Sequence, residues 1–141
     1  MKCIFCNLGK NEILKEYNFW RITLHQSQYY PGRCRIILKR HVEDLTEITF
    51  DEREELFEIL IKLKKVLVNI FNVDLFNYTC AGNLCPHLHI HIIPRYNHEV
   101  EFDGFVFKDE LWGKNHSFYP KDFKLENSIT NKIKERIKEK L

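Results

Sequence analysis

The stretch CPHLHIHIIPRY, Cys85–Tyr96, places an imidazole at every second position and an aliphatic residue after each one. Side chains of an extended strand alternate between its two faces. His87, His89 and His91 therefore share one face, and Leu88, Ile90 and Ile92 point the other way, into a core. Same-face neighbours stand ~6.6–7 Å apart, from the strand rise. Two of them can meet one phosphate or one metal ion together with groups from adjoining loops. Such alternation also suits solvated imidazoles on a half-exposed strand. The surroundings favour chemistry: the turn Ala81-Gly82-Asn83 lies just before and can aim backbone N–H groups at an anion, and Arg95 follows.

Working outward, DLFNYTC reads as a strand paired with the histidine strand through AGNLCP. Upstream, TFDEREELFEILIKLKKVLVNIF is the clearest helix. Thr49 and Glu52 make a capping box, and Leu56, Leu60, Leu63, Leu67 and Ile70 form one apolar face. Acidic residues lead and Lys62, Lys64 and Lys65 follow, in the order the helix dipole favours. Further upstream, EILKEYNFWRITLH reads as a hairpin around Asn18, QSQYYPGR as a loop, and CRIILKRH as a short buried strand ending at His41. After Tyr96 comes an irregular aromatic stretch, then a tail, Leu125–Leu141, whose Ile129, Ile133 and Ile137 predict a partly exposed C-terminal helix. Strands, helix, strands, helix with hairpin-length loops predict an α+β fold around a mainly antiparallel sheet, in a single domain over residues 1–141.

Composition bounds the rest. The 141 residues are 44% hydrophobic and 13% aromatic, enough for a core. A net charge of +2, with both signs mixed along the chain, gives no reason to expect a nucleic-acid partner. No apolar run approaches the ~18–20 residues of a membrane span, and MKCIFCNLGK lacks the marks of a signal peptide. We expect a cytosolic protein. Five cysteines in that setting argue against a disulfide framework. Cys3 and Cys6 form C-x-x-C, half of a metal site or a redox pair. The side chains of Cys34, Cys80 and Cys85 read as core or strand-end residues, and His98 and His116 as surface residues.

HLHIHII resembles the His-φ-His-φ-His-φ-φ signature of the histidine triad (HIT) family of nucleotide hydrolases and transferases. NYTCAGNLCPHLHIHIIPRY and PGRCRIILKRHVEDLTEI resemble two longer family segments, and CIFC resembles the C-x-F-C near the start of many members. The likeness covers most of residues 1–96 in the expected order and fades over 97–141. It implies a HIT-like sheet with one long packed helix, and a homodimer in which two sheets join edge to edge. It also implies cleavage at the α-phosphate of a purine nucleotide through a nucleotidyl-histidine intermediate. His89 matches the nucleophile, and His91 the residue that contacts phosphate oxygens and helps the leaving group depart. Asn83 and the backbone of Leu84 and Cys85 match the phosphate cradle, and Asn77 a nucleotide contact. His25 falls where many members place an acid on the ribose.

Zinc-containing members pair C-x-x-C with two histidines, which here are His41 and His87. That resemblance implies a structural Zn²⁺ on Cys3, Cys6, His41 and His87, closed and without an open position. Trp112 either reaches over an active site or packs in its own subunit. Arg33 replaces the histidine usual after the glycine of the family's PGH; it is either a further cation near the nucleotide pocket, favouring longer phosphate chains, or a surface arginine, and we expect the latter. Substrates in view are dinucleoside polyphosphates such as diadenosine tetraphosphate, and amine or aminoacyl phosphoramidates of AMP. A nucleotidyl transferase or phosphorylase is the nearest rival, and a low-turnover nucleotide-binding regulatory protein the more distant one.

Overall fold

The computed structural model describes residues 2–117, 120 and 122–141. Five strands build the main sheet: β1 (Ile13–Glu16), β2 (Trp20–Leu24), β3 (Cys34–Leu38), β4 (Leu75–Thr79) and β5 (His89–Arg95). Their order is β1-β2-β3-β5-β4, with every neighbouring pair antiparallel. Helix α1 (Phe50–Phe71) carries the chain from β3 past the sheet to β4, so that β5 pairs back between them. A small hairpin, β6 (Val100–Phe102) and β7 (Phe105–Phe107), and helix α2 (Asn127–Lys140) follow.

Register separates the two faces of the sheet. Arg35 pairs with both Thr23 and His91, and His91 with Thr79, so these four form one row on the histidine face. Trp20, Ile22, Ile36, Ile90 and Ile92 fall on the other face, in one core with Leu56, Ile59, Leu63 and Leu67 of α1. Removing such a side chain from water contributes about 1.5–3 kcal/mol each. Ile129, Ile133 and Ile137 of α2 join the same core, as their spacing predicts.

The capping box at the start of α1 is formed. Thr49 Oγ1 accepts from the Glu52 N–H at 3.1 Å, and the Glu52 carboxylate accepts from the Thr49 N–H at 2.8 Å. The buried face of α1 is broader than the leucine repeat predicts: Ile59, Val66 and Phe71 are buried, whereas Leu60 and Ile70 lie only at the margin. Gly32 fixes how the preceding loop meets this helix. Its φ is +91°, and a Cβ there would lie 2.9 Å from Leu67 Cδ2. That close approach in a left-handed conformation needs glycine.

Two expectations change. The strand predicted to reach His41 ends at Leu38, because the chain bends away at 39–40 and Val42 O instead accepts from the Leu88 N–H at 2.7 Å. The stretch after Tyr96 contains the β6–β7 hairpin, turned by Asp103-Gly104 with φ of 51° and 80°. Asp-Gly between alternating apolar residues is the usual signal for such a turn. Among the described residues no helix is long and apolar enough to cross a membrane.

Candidate functional site

His89 opens β5 with its ring largely buried, and its Nδ1–H donates to the carbonyl oxygen of His87 at 2.7 Å. That bond fixes the tautomer and leaves the lone pair on Nε2. Phe5 packs on the ring at a centroid distance of 4.6 Å. His91, two residues on, sits 5.0 Å from His89, and His25 a further 5.6 Å beyond. Burial pushes His89 below the usual imidazole range. Burial, then the charge of Arg33, pushes His91 down to about 3, and the same two causes bring His25 to about 3. At neutral pH these rings are uncharged, able to attack or to donate a hydrogen bond without first losing a proton.

Arg33 is not at the surface but wholly buried. The His25 N–H donates to Arg33 O at 3.0 Å, which carries the β2–β3 ladder one step past Cys34. Alternation then turns Arg33 onto the same face as Arg35 and His91. Two guanidinium groups thus lie on the histidine face, an electrostatic setting that favours an anion.

Asn77 faces the same side from β4. Its Oδ1 accepts from Arg95 Nη1 at 3.0 Å, and His116 Nδ1 reaches the same oxygen at 3.2 Å. Arg95 also makes a two-pronged ion pair with Asp109, at 2.6 and 3.1 Å, and donates to the carbonyls of Leu111 and Lys114. Strand β5 is thereby clamped to the 109–117 segment, and the amide of Asn77 is held in one orientation. His116, read from sequence as a surface residue, is part of this network. His98 does lie outside, paired with Asp74 at 2.8 Å. Trp112 lines a shallow groove of its own chain with Tyr96 and His98.

Cys3, Cys6, His41 and His87 converge, with one ligand atom from each lying within 4.8 Å of all the others. His87 Nδ1 is 3.3 Å from Cys3 Sγ, 3.5 Å from Cys6 Sγ and 3.2 Å from His41 Nδ1. His41 Nδ1 is 3.3 Å from Cys6 Sγ. Zinc bonds of ~2.3 Å to sulfur and ~2.0–2.1 Å to nitrogen, arranged tetrahedrally, set donor separations of roughly 3.3–3.8 Å. These four separations suit a four-coordinate ion, in a set whose widest pair lies no more than 4.8 Å apart. His87 Nε2–H donates to Leu38 O at 2.5 Å, which leaves Nδ1 as the donor facing the cluster. Burial pushes the Cys3 thiol up, but hydrogen bonds from Cys6, Phe5 and His87 together outweigh it and bring the thiol to about 6.

The turn between β4 and β5 borders a cavity of about 280 Å³, lined by Asp44, Cys80, Gly82, His87 and His89 among others. Gly82 has φ +68°. Asn83 and Leu84 stay exposed on this turn, Leu84 by 85%. Cys34 lies in the core and Cys80 is exposed, whereas Cys85 comes within 3.9 Å of Cys3 Sγ. Sequence reasoning thus missed the burial of Arg33, the contact of His116 with Asn77 and the Cys85 thiol beside Cys3. Parity along β3 is the signal that places Arg33 beside His91; the other two are set by loops.

A family model described as the HIT domain matches residues 10–98. The chain belongs to the HIT domain family. It is 31% identical over 144 residues to Protein hit of Bacillus subtilis, covering 96% of this chain and 94% of that one. It is 35% identical over 86 residues to AP-4-A phosphorylase of Mycobacterium tuberculosis, covering 57% of this chain and 44% of that one. A third relative, 30% identical over 84 residues, is the asymmetrical bis(5'-nucleosyl)-tetraphosphatase of Schizosaccharomyces pombe, with 56% and 46% covered. The chain spans about half the length of these last two relatives. A histidine triad nucleotide-binding protein of Sulfolobus tokodaii superposes with a TM-score of 0.74 at 22% identity, over 98% of this chain and 91% of that one. A zinc-bound histidine triad family protein of Mycobacterium smegmatis does so with 0.67 at 17% identity, over 99% and 93%. The HIT fold is thus an α+β sheet packed by α1 and closed by α2.

Proposed function

We propose that this HIT protein is a nucleotide phosphohydrolase acting at the α-phosphate of a dinucleoside polyphosphate or an AMP phosphoramidate. The observation that carries the reading is the 2.7 Å bond from His89 Nδ1–H to His87 O, which presents Nε2 as a neutral nucleophile. Nε2 attacks the α-phosphorus, the bond to the leaving group breaks, and a nucleotidyl-histidine forms. Water then cleaves the N–P bond and releases the nucleoside monophosphate. Splitting one difficult displacement into two easier ones is what a nucleophile offers. His91 donates to the phosphoryl oxygens, and the Ala81–Cys85 turn, with Asn83 and the Leu84 and Cys85 backbone, cradles them. Asn77 and His25 contact the nucleotide. The similarity to a phosphorylase keeps transfer of the nucleotidyl group to inorganic phosphate as the second reading. Turnover with and without phosphate separates the two: AMP as product supports hydrolysis, and ADP formed only with phosphate supports transfer. Alkaline quenching with labelled substrate should trap label on the His89 peptide; label elsewhere would overturn the reading.

Cys3, Cys6, His41 and His87 would hold a structural Zn²⁺, which supplies no step but joins the N-terminal segment to the sheet. The partner we propose is a second copy of the chain. Strand β4 is one of the two outer edges of the sheet, with Leu75 and Tyr78 each 51% exposed. Beside it an apolar groove of about 680 Å³ runs along α1, lined by Leu45, Phe57 and Ile61. An open edge flanked by apolar surface is one that proteins ordinarily cover. A stable monomer of 17.1 kDa in light scattering at micromolar concentration would contradict the dimer.

A further inference from the structure

Cys85 stands against the four-donor cluster without belonging to it. The ligand atoms that all lie within 4.8 Å of one another are those of Cys3, Cys6, His41 and His87. Cys85 Sγ touches the flank of one of them, 3.9 Å from Cys3 Sγ. Cys6 also meets the Cys3 thiol, and lies 3.3 Å from His41 and 3.5 Å from His87. Cys3 and Cys85 are 82 residues apart in sequence. One belongs to the N-terminal segment and the other to the turn between β4 and β5. Both residues are only partly buried.

We propose that Cys3 and Cys85 are an oxidisable thiol pair, and that their disulfide takes Cys3 out of the metal cluster while tying the N-terminal segment to the glycine turn. The sulfurs are already in contact, and closing to the ~2.05 Å of a disulfide needs a shift of roughly 2 Å, within reach of χ1 rotation and loop adjustment. The oxidant is a hydroperoxide. One thiolate attacks its terminal oxygen, the O–O bond breaks, and a sulfenic acid forms as hydroxide leaves and takes up a proton to become water. The second thiol attacks that sulfur, the S–O bond breaks, and a second water departs. Two thiols lose two electrons and two protons, and one hydrogen peroxide becomes two waters. A thiol reductant reverses the bond. An effect on nucleotide turnover rests on our reading of the turn as the phosphate cradle; the disulfide itself does not.

The test treats the full chain with hydrogen peroxide, blocks remaining thiols by alkylation, and maps the disulfides without reduction. Chymotrypsin, which cuts after Phe5 and Leu84, separates Cys3 from Cys6 and Cys85 from Cys80. The expected product is a peptide pair joining Cys3 to Cys85, lost on reduction and missing from Cys85→Ser. A Cys3–Cys6 bond with Cys85 still alkylated, or a Cys3–Cys85 bond formed only in denaturant, overturns the proposal on wild type alone. Chelator competition should show zinc bound at least tenfold more weakly by the cross-linked chain than by the reduced chain. Equal binding, or none by either, overturns the link to the metal cluster. Loss of turnover without the Cys3–Cys85 peptide would also overturn it, whereas the peptide without loss of turnover would count against the cradle reading only.

Discussion

His87 and His89 are the same residue two positions apart, and their backbone partners prepare them for opposite uses. His87 donates from Nε2 to Leu38 O, so its Nδ1 faces two thiols and a second imidazole. His89 donates from Nδ1 to His87 O, so its lone pair is left on Nε2. Beyond His89 the surroundings change from soft sulfur to cationic guanidinium, at Arg33 and Arg35. A carbonyl oxygen chooses which nitrogen is offered, and the neighbouring side chains choose to what. The repeat His-x-His-x-His supplies the rings but not this division of labour.

The harshest attempt to break the contrast is His89→Asn. Asparagine keeps a polar group at the site but cannot take the nucleotidyl group, so kcat should fall roughly 10³-fold or more while AMP is still bound. Full turnover in that variant would mean that His89 is not the nucleophile. At the other end, Cys6→Ser should remove the metal and leave nucleotide chemistry to be carried by a less stable chain. Metal analysis should give about one zinc per wild-type chain and nearly none in the variant, with a clear drop in thermal midpoint because structural zinc binding is coupled to folding. Zinc absent from metal-replete wild type would refute the metal half of the comparison. His91→Ala should be milder than His89→Asn, a loss on the order of 10–10³-fold in kcat, since one donor is removed but the covalent route stays open.

A further prediction concerns pH. In the folded chain His25 and His91 protonate only near about 3, held down by burial and by Arg33, then by Arg35 and neighbouring imidazoles, against 6.5 for an ordinary histidine. Between those values the unfolded chain binds more protons. Stability from this source is complete above pH 6.5 and is lost as pH falls toward 3, by up to about 1.4 kcal/mol per pH unit for each ring. Urea unfolding at pH 7 and pH 5 should therefore give a lower midpoint at the more acidic pH. Identical midpoints would mean that these rings are solvated.

Much of this was legible in the sequence because it depends on local period. Alternation at Cys85–Tyr96 separates His89 and His91 from Ile90 and Ile92, and the structure keeps that separation. The Thr49–Glu52 box marks the first turn of α1 at the right residue. The isoleucines of α2 are buried as spaced. What was not legible needs a third dimension. Arg33 looked like a surface cation because a guanidinium in isolation belongs in water; strand parity and the seating of Gly32 on Leu67 turn it inward. His116 finds Asn77 across 39 residues and Cys85 finds Cys3 across 82, through loops whose course no periodicity encodes.

The two margins of the sheet differ in what they permit. At β1 the ladder slips between Ile13 and Lys15, and the strand ends in the charged pair Lys15 and Glu16. A bulge and charges of this kind discourage a further strand. At β4 the ladder runs without a slip, and Leu75 and Tyr78 stand open. In the dimer we propose, the molecule has a valence of one: a union through β4 would consume the receptive margin of each copy around a two-fold axis and leave two blunted ends, so growth would stop at ten strands instead of continuing into a fibre.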